Sequence, residues 1–203
     1  MTDEASVAAG FEAAVLAWGG VDIVVSNAGI AHVASVERLE LRDWERALSV
    51  NATGHFLVSR ETVRILKAQG TGGSLVVFGS KNVLAPGKDF GAYSASKAAQ
   101  VQLARVLAIE AGPDRIRVNL VHPDAVFQDS GLWSEEVRQE RARAYGIDPS
   151  GLEEFYRKRN LLGERVTPED VAEAVVWLAS DRSLKTTGCI LTVDGGLREA
   201  FPR

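Results

Sequence analysis

Tyr93 and Lys97 bracket the run Tyr93-Ser94-Ala95-Ser96-Lys97, and their i, i+4 spacing makes a phenol and an ammonium neighbours on one helix face. Val101, Ala104 and Ala108 continue that face as an apolar stripe, so the pair is expected to look inward. A free phenol gives up its proton only near pH 10, and acid/base work near neutrality needs a cation close by to favour the phenolate. Lys97 is placed to supply it. Such a pair on its own is also what ordinary helix surface looks like. Ser80 adds context: it follows the buried apolar run Ser74 to Phe78, where the carboxyl ends of parallel strands open a ligand crevice. Asn51 falls where a long helical stretch is interrupted. Taken singly, Ser80 reads equally as a turn residue and Asn51 as a helix-breaking or capping residue.

The elements that must hold these residues alternate along the chain. Thr2 followed by Asp3 and Glu4 predicts a helix cap, with Val7, Phe11, Val15 and Trp18 at helical spacing until Gly19-Gly20. Val21 to Val25 is apolar on both faces and predicts a central parallel strand covered on two sides. A helical stretch from about 41 to 69, interrupted at Asn51-Ala52-Thr53-Gly54, leads to the second strand, Ser74 to Phe78. A helix over about 92 to 111 carries Tyr93 and Lys97, and Ile116 to Val121 is a third strand. A polar, helix-forming segment separates His122 from Arg165. Thr167-Pro168-Glu169-Asp170 then starts a helix with proline at its first position, and Ile190 to Val193 is a fourth strand. This alternation predicts an α/β doubly wound parallel sheet with right-handed crossovers.

At 203 residues, 46% hydrophobic and 25% charged, the chain reads as a single globular domain over 1–203 able to bury its own core. The net charge is −4 and the basic residues are dispersed, which argues against a nucleic-acid partner. Cys189 is the only cysteine, and with His32, His55 and His122 it forms no zinc spacing, so no metal is expected. The acidic N-terminus and the lack of an apolar run of roughly 20 residues predict no signal peptide or membrane span and a cytoplasmic location.

Taken in order, four motifs resemble the short-chain dehydrogenase/reductase family: Ser26-Asn27-Ala28-Gly29, Asn51-Ala52-Thr53-Gly54, Ser80 thirteen residues before Tyr93, and Tyr93-Ser94-Ala95-Ser96-Lys97. The resemblance implies a Rossmann-like fold, NAD or NADP as cofactor, a small alcohol or carbonyl substrate and a homo-oligomer, dimer or tetramer. It implies Tyr93 as general acid/base, Lys97 lowering the phenol's pKa and holding the nicotinamide ribose, Ser80 polarising the substrate oxygen and Asn51 positioning a relay water. Asn27, Ala28 and Gly29 would lie beside the cofactor ribose, and Pro123, Ala125 and Val126 against the nicotinamide carboxamide. Two departures stand out. Asp124 replaces the usual Gly after this proline and Phe127 a common Thr, which predicts a more acidic and bulkier mouth. The segment from His122 to Ser134, the run Glu154 to Asn160 and the ending Glu199 to Arg203 look narrowly like the dehydrogenase half of bifunctional rhamnulose-1-phosphate aldolase/alcohol dehydrogenases. That likeness implies a role in rhamnose metabolism with lactaldehyde or a related hydroxy-aldehyde as substrate, and a helical substrate-loop insertion over about 127–165.

A doubly wound nucleotide-binding domain grips the pyrophosphate with a glycine-rich turn between a strand and a helix. Gly19-Gly20 and Gly70-Thr71-Gly72-Gly73 precede strands, and Gly195-Gly196 falls near the chain end, so the sequence lacks such a turn. By analogy with the family, the first strands would lie upstream of Met1, and Val21 to Val25 would be left as an uncovered edge. The expectation is then a dehydrogenase with weak dinucleotide affinity. The rival is a catalytically inactive fragment serving as a packing or oligomerisation module.

Overall fold

The computed structural model describes residues 1–201. Its helix α1 spans Glu4–Trp18 and is capped by Asp3 rather than Thr2, because the Asp3 carboxylate accepts from the Ser6 N–H at 2.7 Å. Strand β1 (Ile23–Ser26), strand β2 (Gly73–Phe78), strand β3 (Ile116–Pro123) and strand β4 (Ile190–Val193) form one parallel sheet in the order β1-β2-β3-β4. Each crossover between them carries helices, as parallel pairing requires.

Helix α2 (Leu41–Leu48), a π-helical segment at Ser49–Gly54 and helix α3 (His55–Gln69) run on without a gap, so the expected interruption at Asn51 is a widened turn rather than a break. Helix α4 (Gly91–Ala111) carries Tyr93 and Lys97. Helices α3 and α4 pack one face of the sheet, burying Leu66, Val101 and Ala104 against Leu75, Ile116 and Leu120. Helix α7 (Pro168–Ala179) packs the other, with Val171 and Leu178 against Val76 and Val121. Thr167 and Asp170 close a reciprocal capping box at its start. Two-sided cover explains why β2 and β3 read as continuous apolar runs.

The first strand is not the central one that its two-sided apolar run suggested and lies at the edge that the family analogy expected. Among the described residues β1 is an edge, paired only with β2, and Ile23 and Val25 are 51% and 45% exposed. Helix α1 packs on α3 instead of over this strand, so Trp18 is exposed as well. An apolar run on a strand therefore records what both faces can tolerate, and here one is covered.

Helix α5 (Glu135–Tyr145) and helix α6 (Leu152–Arg159) form the insertion with a small core of their own. Trp133, Val137, Ala142, Leu152 and Tyr156 are buried there, and Phe127 stacks on Trp133 with centroids 4.2 Å apart. Phe127 thus packs into the insertion rather than bulking out the mouth of the site. No helix of the described residues is long and apolar enough to cross a membrane, and they contain no cluster of metal-ligating side chains.

Candidate active site

The carboxyl ends of β1, β2 and β3 and the first turn of α4 surround a cavity of about 770 Å³. Ser80, Tyr93 and Lys97 line it, as do Asn27, Ala28 and Gly29 after β1 and Pro123, Ala125 and Val126 after β3. Asn51 does not line it, although it is fully buried behind Gly29.

Ser80 caps a short 3₁₀ turn, Lys81–Val83, and its Oγ accepts from the Asn82 N–H at 3.2 Å and from Asn82 Nδ2 at 3.3 Å. Two accepted bonds occupy the hydroxyl's lone pairs, so its proton is directed elsewhere. Burial pushes the Tyr93 phenol's pKa up, the neighbouring Ser80 hydroxyl draws it back and the Asp124 charge raises it again. Lys97, 3% exposed, donates from Nζ to the Phe78 carbonyl at 2.7 Å and lies 6.0 Å from the centre of the Tyr93 ring. Desolvation lowers its own pKa to about 7. In this geometry the ammonium is turned toward the strand end, and burial, not Lys97, dominates the phenol.

Asn51 serves the architecture first. Its Nδ2 donates to the Ile30 carbonyl at 2.9 Å and to Ser96 Oγ at 3.0 Å, and its Oδ1 accepts from the Ile30 N–H at 2.9 Å. It thereby bolts the loop after β1 to α4, at the residue immediately after the Asn27–Gly29 motif. His55 pins the same loop: Nε2 donates to the Ala28 carbonyl at 2.7 Å, which leaves Nδ1 to accept the Ser26 hydroxyl at 2.7 Å. Burial first, then the Lys97 charge, lower its pKa to about 4, so the ring is neutral at pH 7.

Sequence reasoning missed Asn82 and His55, and also Lys81, Arg141 and Arg159. A Ser-x-Asn step at a strand end is a turn signal that could have marked Asn82. The others are set by contacts distant in sequence and leave no local trace. The expected acidic mouth is corrected too: Asp124 is 7% exposed and ion-paired to Arg159 at 2.5 Å.

A parallel α/β sheet with Ser, Tyr and Lys converging at its carboxyl edge defines a nucleotide-dependent oxidoreductase class, and the comparisons with known proteins agree. The family model described as enoyl-(acyl carrier protein) reductase matches residues 1–198. The chain belongs to the short-chain dehydrogenase/reductase family. It is 50% identical over 203 residues to the uncharacterized oxidoreductase YuxG of Bacillus subtilis, covering 100% of this chain but 30% of that protein. Its fold is similar to that of sorbitol-6-phosphate 2-dehydrogenase SrlD from Erwinia amylovora, with TM-score 0.88, 30% identity, and coverage of 96% of this chain and 75% of that one. Carveol dehydrogenase from Mycobacterium avium, solved in complex with NAD, is similar with TM-score 0.88 and 28% identity over 96% of this chain and 71% of that one.

Proposed function

We propose that this chain carries the catalytic centre of an NAD(P)-dependent alcohol/carbonyl oxidoreductase, with Ser80, Tyr93 and Lys97 as its reacting constellation. The observation that carries the reading is that Ser80, Tyr93 and Lys97 line one cavity with the Asn27–Gly29 loop. The residues present fit the nicotinamide end of the cofactor: the Asn27–Gly29 loop, the Pro123–Val126 segment and the buried Lys97 ammonium line one cavity. Asn27, Ala28, Gly29 and Lys97 would hold the ribose, and Pro123, Ala125 and Val126 the carboxamide. The cofactor, when bound, supplies or accepts a hydride at the substrate carbon.

The chain's own residues handle the oxygen. Reduction of a carbonyl builds negative charge there, which the Ser80 hydroxyl stabilises because its lone pairs are already taken by Asn82. Tyr93 completes the step by passing its phenolic proton to that oxygen. Lys97, held beside it, offers positive charge to the phenolate that remains, and Asn51 keeps the ribose loop and α4 in register, with one Oδ1 lone pair left for a relay water.

Small hydroxy-aldehydes or polyols suit the site, lactaldehyde among them, with the rhamnose-linked relationship resting on the insertion sequence and its closure by Trp133 and Tyr156. The same reading takes 1–203 as one domain, soluble in the cytoplasm and assembling with copies of itself. Steady-state rates with lactaldehyde and NADH test the centre. Tyr93→Phe should cut turnover roughly a hundred- to ten-thousandfold with the fold intact, since only the hydroxyl goes. Near wild-type turnover in that variant would overturn the assignment.

A second reading, a non-catalytic packing module, is favoured by the lack of a glycine-rich strand-to-helix turn among residues 1–201. Calorimetry with NADH separates the two: weak, millimolar-range binding with measurable turnover supports the first, and no binding at all supports the second.

A further inference from the structure

Lys81 follows the catalytic Ser80 and takes no part in the chemistry above. It is 4% exposed, lines the cavity with Ser80, Tyr93 and Asp124, and donates from Nζ to the Ala85 carbonyl at 3.0 Å. An ammonium has three donors, and this bond uses one. The charged groups that face it are Asp124, Arg159, Arg141 and Glu199.

Asp124 and Glu199 favour its charge from a distance, Arg159 and Arg141 oppose it, and among the described residues neither carboxylate forms an ion pair with it. The Asp124 carboxylate is already held by Arg159 at 2.5 Å, and the Arg159 guanidinium lies 4.0 Å over the Tyr156 ring. Glu199 is at the surface. Arg141, 1% exposed, is itself a cation bound by neutral oxygens alone: the Lys88 carbonyl and the hydroxyls of Tyr145 and Tyr156. Lys81 and Arg141 are therefore buried together with a single adjacent buried carboxylate, Asp124, which a third cation has taken. An ammonium stripped of water and left without a counter-charge costs several kcal/mol, and the usual response is a lowered pKa. Burial brings Lys81 down to about 8, so it still carries its charge at pH 7. A positive group kept dry and charged in a ligand cavity is matched by a ligand that brings the opposite charge.

We infer that Lys81 is the specificity group of this cavity and binds an oxyanion, a carboxylate or a phosphate monoester, borne by the small hydroxy-carbonyl substrate. This rests on the reading of the cavity as the substrate site and narrows that reading from neutral aldehydes to anionic ones. Ser80 and Tyr93 take the reacting oxygen while the ammonium next along the chain takes the charged end, which fixes which carbon meets the hydride. The buried Trp133 and Tyr156 rings beside the cavity keep water away and strengthen the attraction. Asp124, clamped by Arg159, is held back from competing for the ammonium.

Calorimetric titration of the chain with L-lactate, glycerol 3-phosphate and 1,2-propanediol at constant ionic strength tests this without turnover, so its outcome is independent of the Tyr93→Phe result. At pH 7 at least one anion should saturate, and which one does so identifies carboxylate or phosphate. Between pH 7 and 9.5 its affinity should fall about thirtyfold as Lys81, lowered to about 8, loses its proton, while propanediol stays unchanged. Lys81→Met should weaken the anion at least tenfold and Lys81→Arg should preserve it. Failure of both anions to saturate, or equal affinity in wild type and Lys81→Met, overturns the inference; if the methionine protein does not fold, the same pH dependence in Lys81→Arg as in wild type overturns it, because an arginine keeps its charge over that range and only Lys97 would then be titrating.

Discussion

A single missing methyl group holds one wall of the site in place. Gly79 lies between β2 and Ser80, and a Cβ there would come within 2.3 Å of His122 Nε2, a ring that is fully buried at the end of β3. Neither ring nitrogen of His122 has a hydrogen-bond partner, so the histidine has no polar anchor and is held by packing. Gly79→Ala must therefore push the strand end or the ring aside, at a cost of about 1–3 kcal/mol typical of overpacking. Denaturant melts of the variant measure it, and unchanged stability would mean that the ring has somewhere to go. Ser80 would move with the strand, so the variant should also lose activity. The chemistry at this scale was half visible. Tyr93, Lys97 and Ser80 were singled out by type and spacing and meet in one cavity, whereas Lys81 and Asn82 follow Ser80 and looked like turn residues.

At the scale of elements, the insertion is tied to the catalytic helix by one side chain. Arg141 on α5 reaches back to the Lys88 carbonyl in the loop between Ser80 and α4, and its guanidinium covers the Phe90 ring at 4.4 Å. Phe90 in turn packs on Tyr93 with centroids 5.0 Å apart. Arg141→Met keeps most of the stem but removes the donors, leaving the Lys88 carbonyl and two tyrosine hydroxyls short of partners. A buried, charged hydrogen-bond donor of this kind is worth about 1.5–3 kcal/mol. We expect a loss of about 2 kcal/mol with faster hydrogen exchange concentrated in residues 84–90 and in α5, and exchange rates unchanged there would show that the loop stands without the insertion. The sequence marked the stretch of about 127–165 as helix-forming without dividing it, and α5 and α6 lie within it. It gave no sign of Arg141, whose partner lies 53 residues away.

For the molecule as a whole, buried bases set the response to acid. His55 and His122 are each brought from an ordinary value of 6.5 down to about 4, burial being the main cause and the Lys97 charge the second. The unfolded chain therefore takes up protons below pH 6.5 while the native one does not until about pH 4. Their contribution to stability is complete above pH 6.5 and is lost as pH falls from 6.5 to 4, on the order of 3 kcal/mol for each ring. Thermal melts from pH 7.5 to 4.5 should show a steep fall in Tm over that window, and a flat profile would mean that the rings are hydrated. The sequence by itself determined the alternation of helix and strand, the buried run of β2, the proline-led start of α7 and the Tyr–Lys face of α4. Each of those follows from periodicity or from spacing within one turn, which the backbone geometry converts directly into direction. Only the tertiary structure decided that Asn51 is a bracket between two elements, that Asp124 is spent on Arg159 and that Lys81 is buried in the cavity without an ion pair. Those outcomes depend on which groups meet across tens of residues, and a buried charge takes its meaning from its neighbours in space.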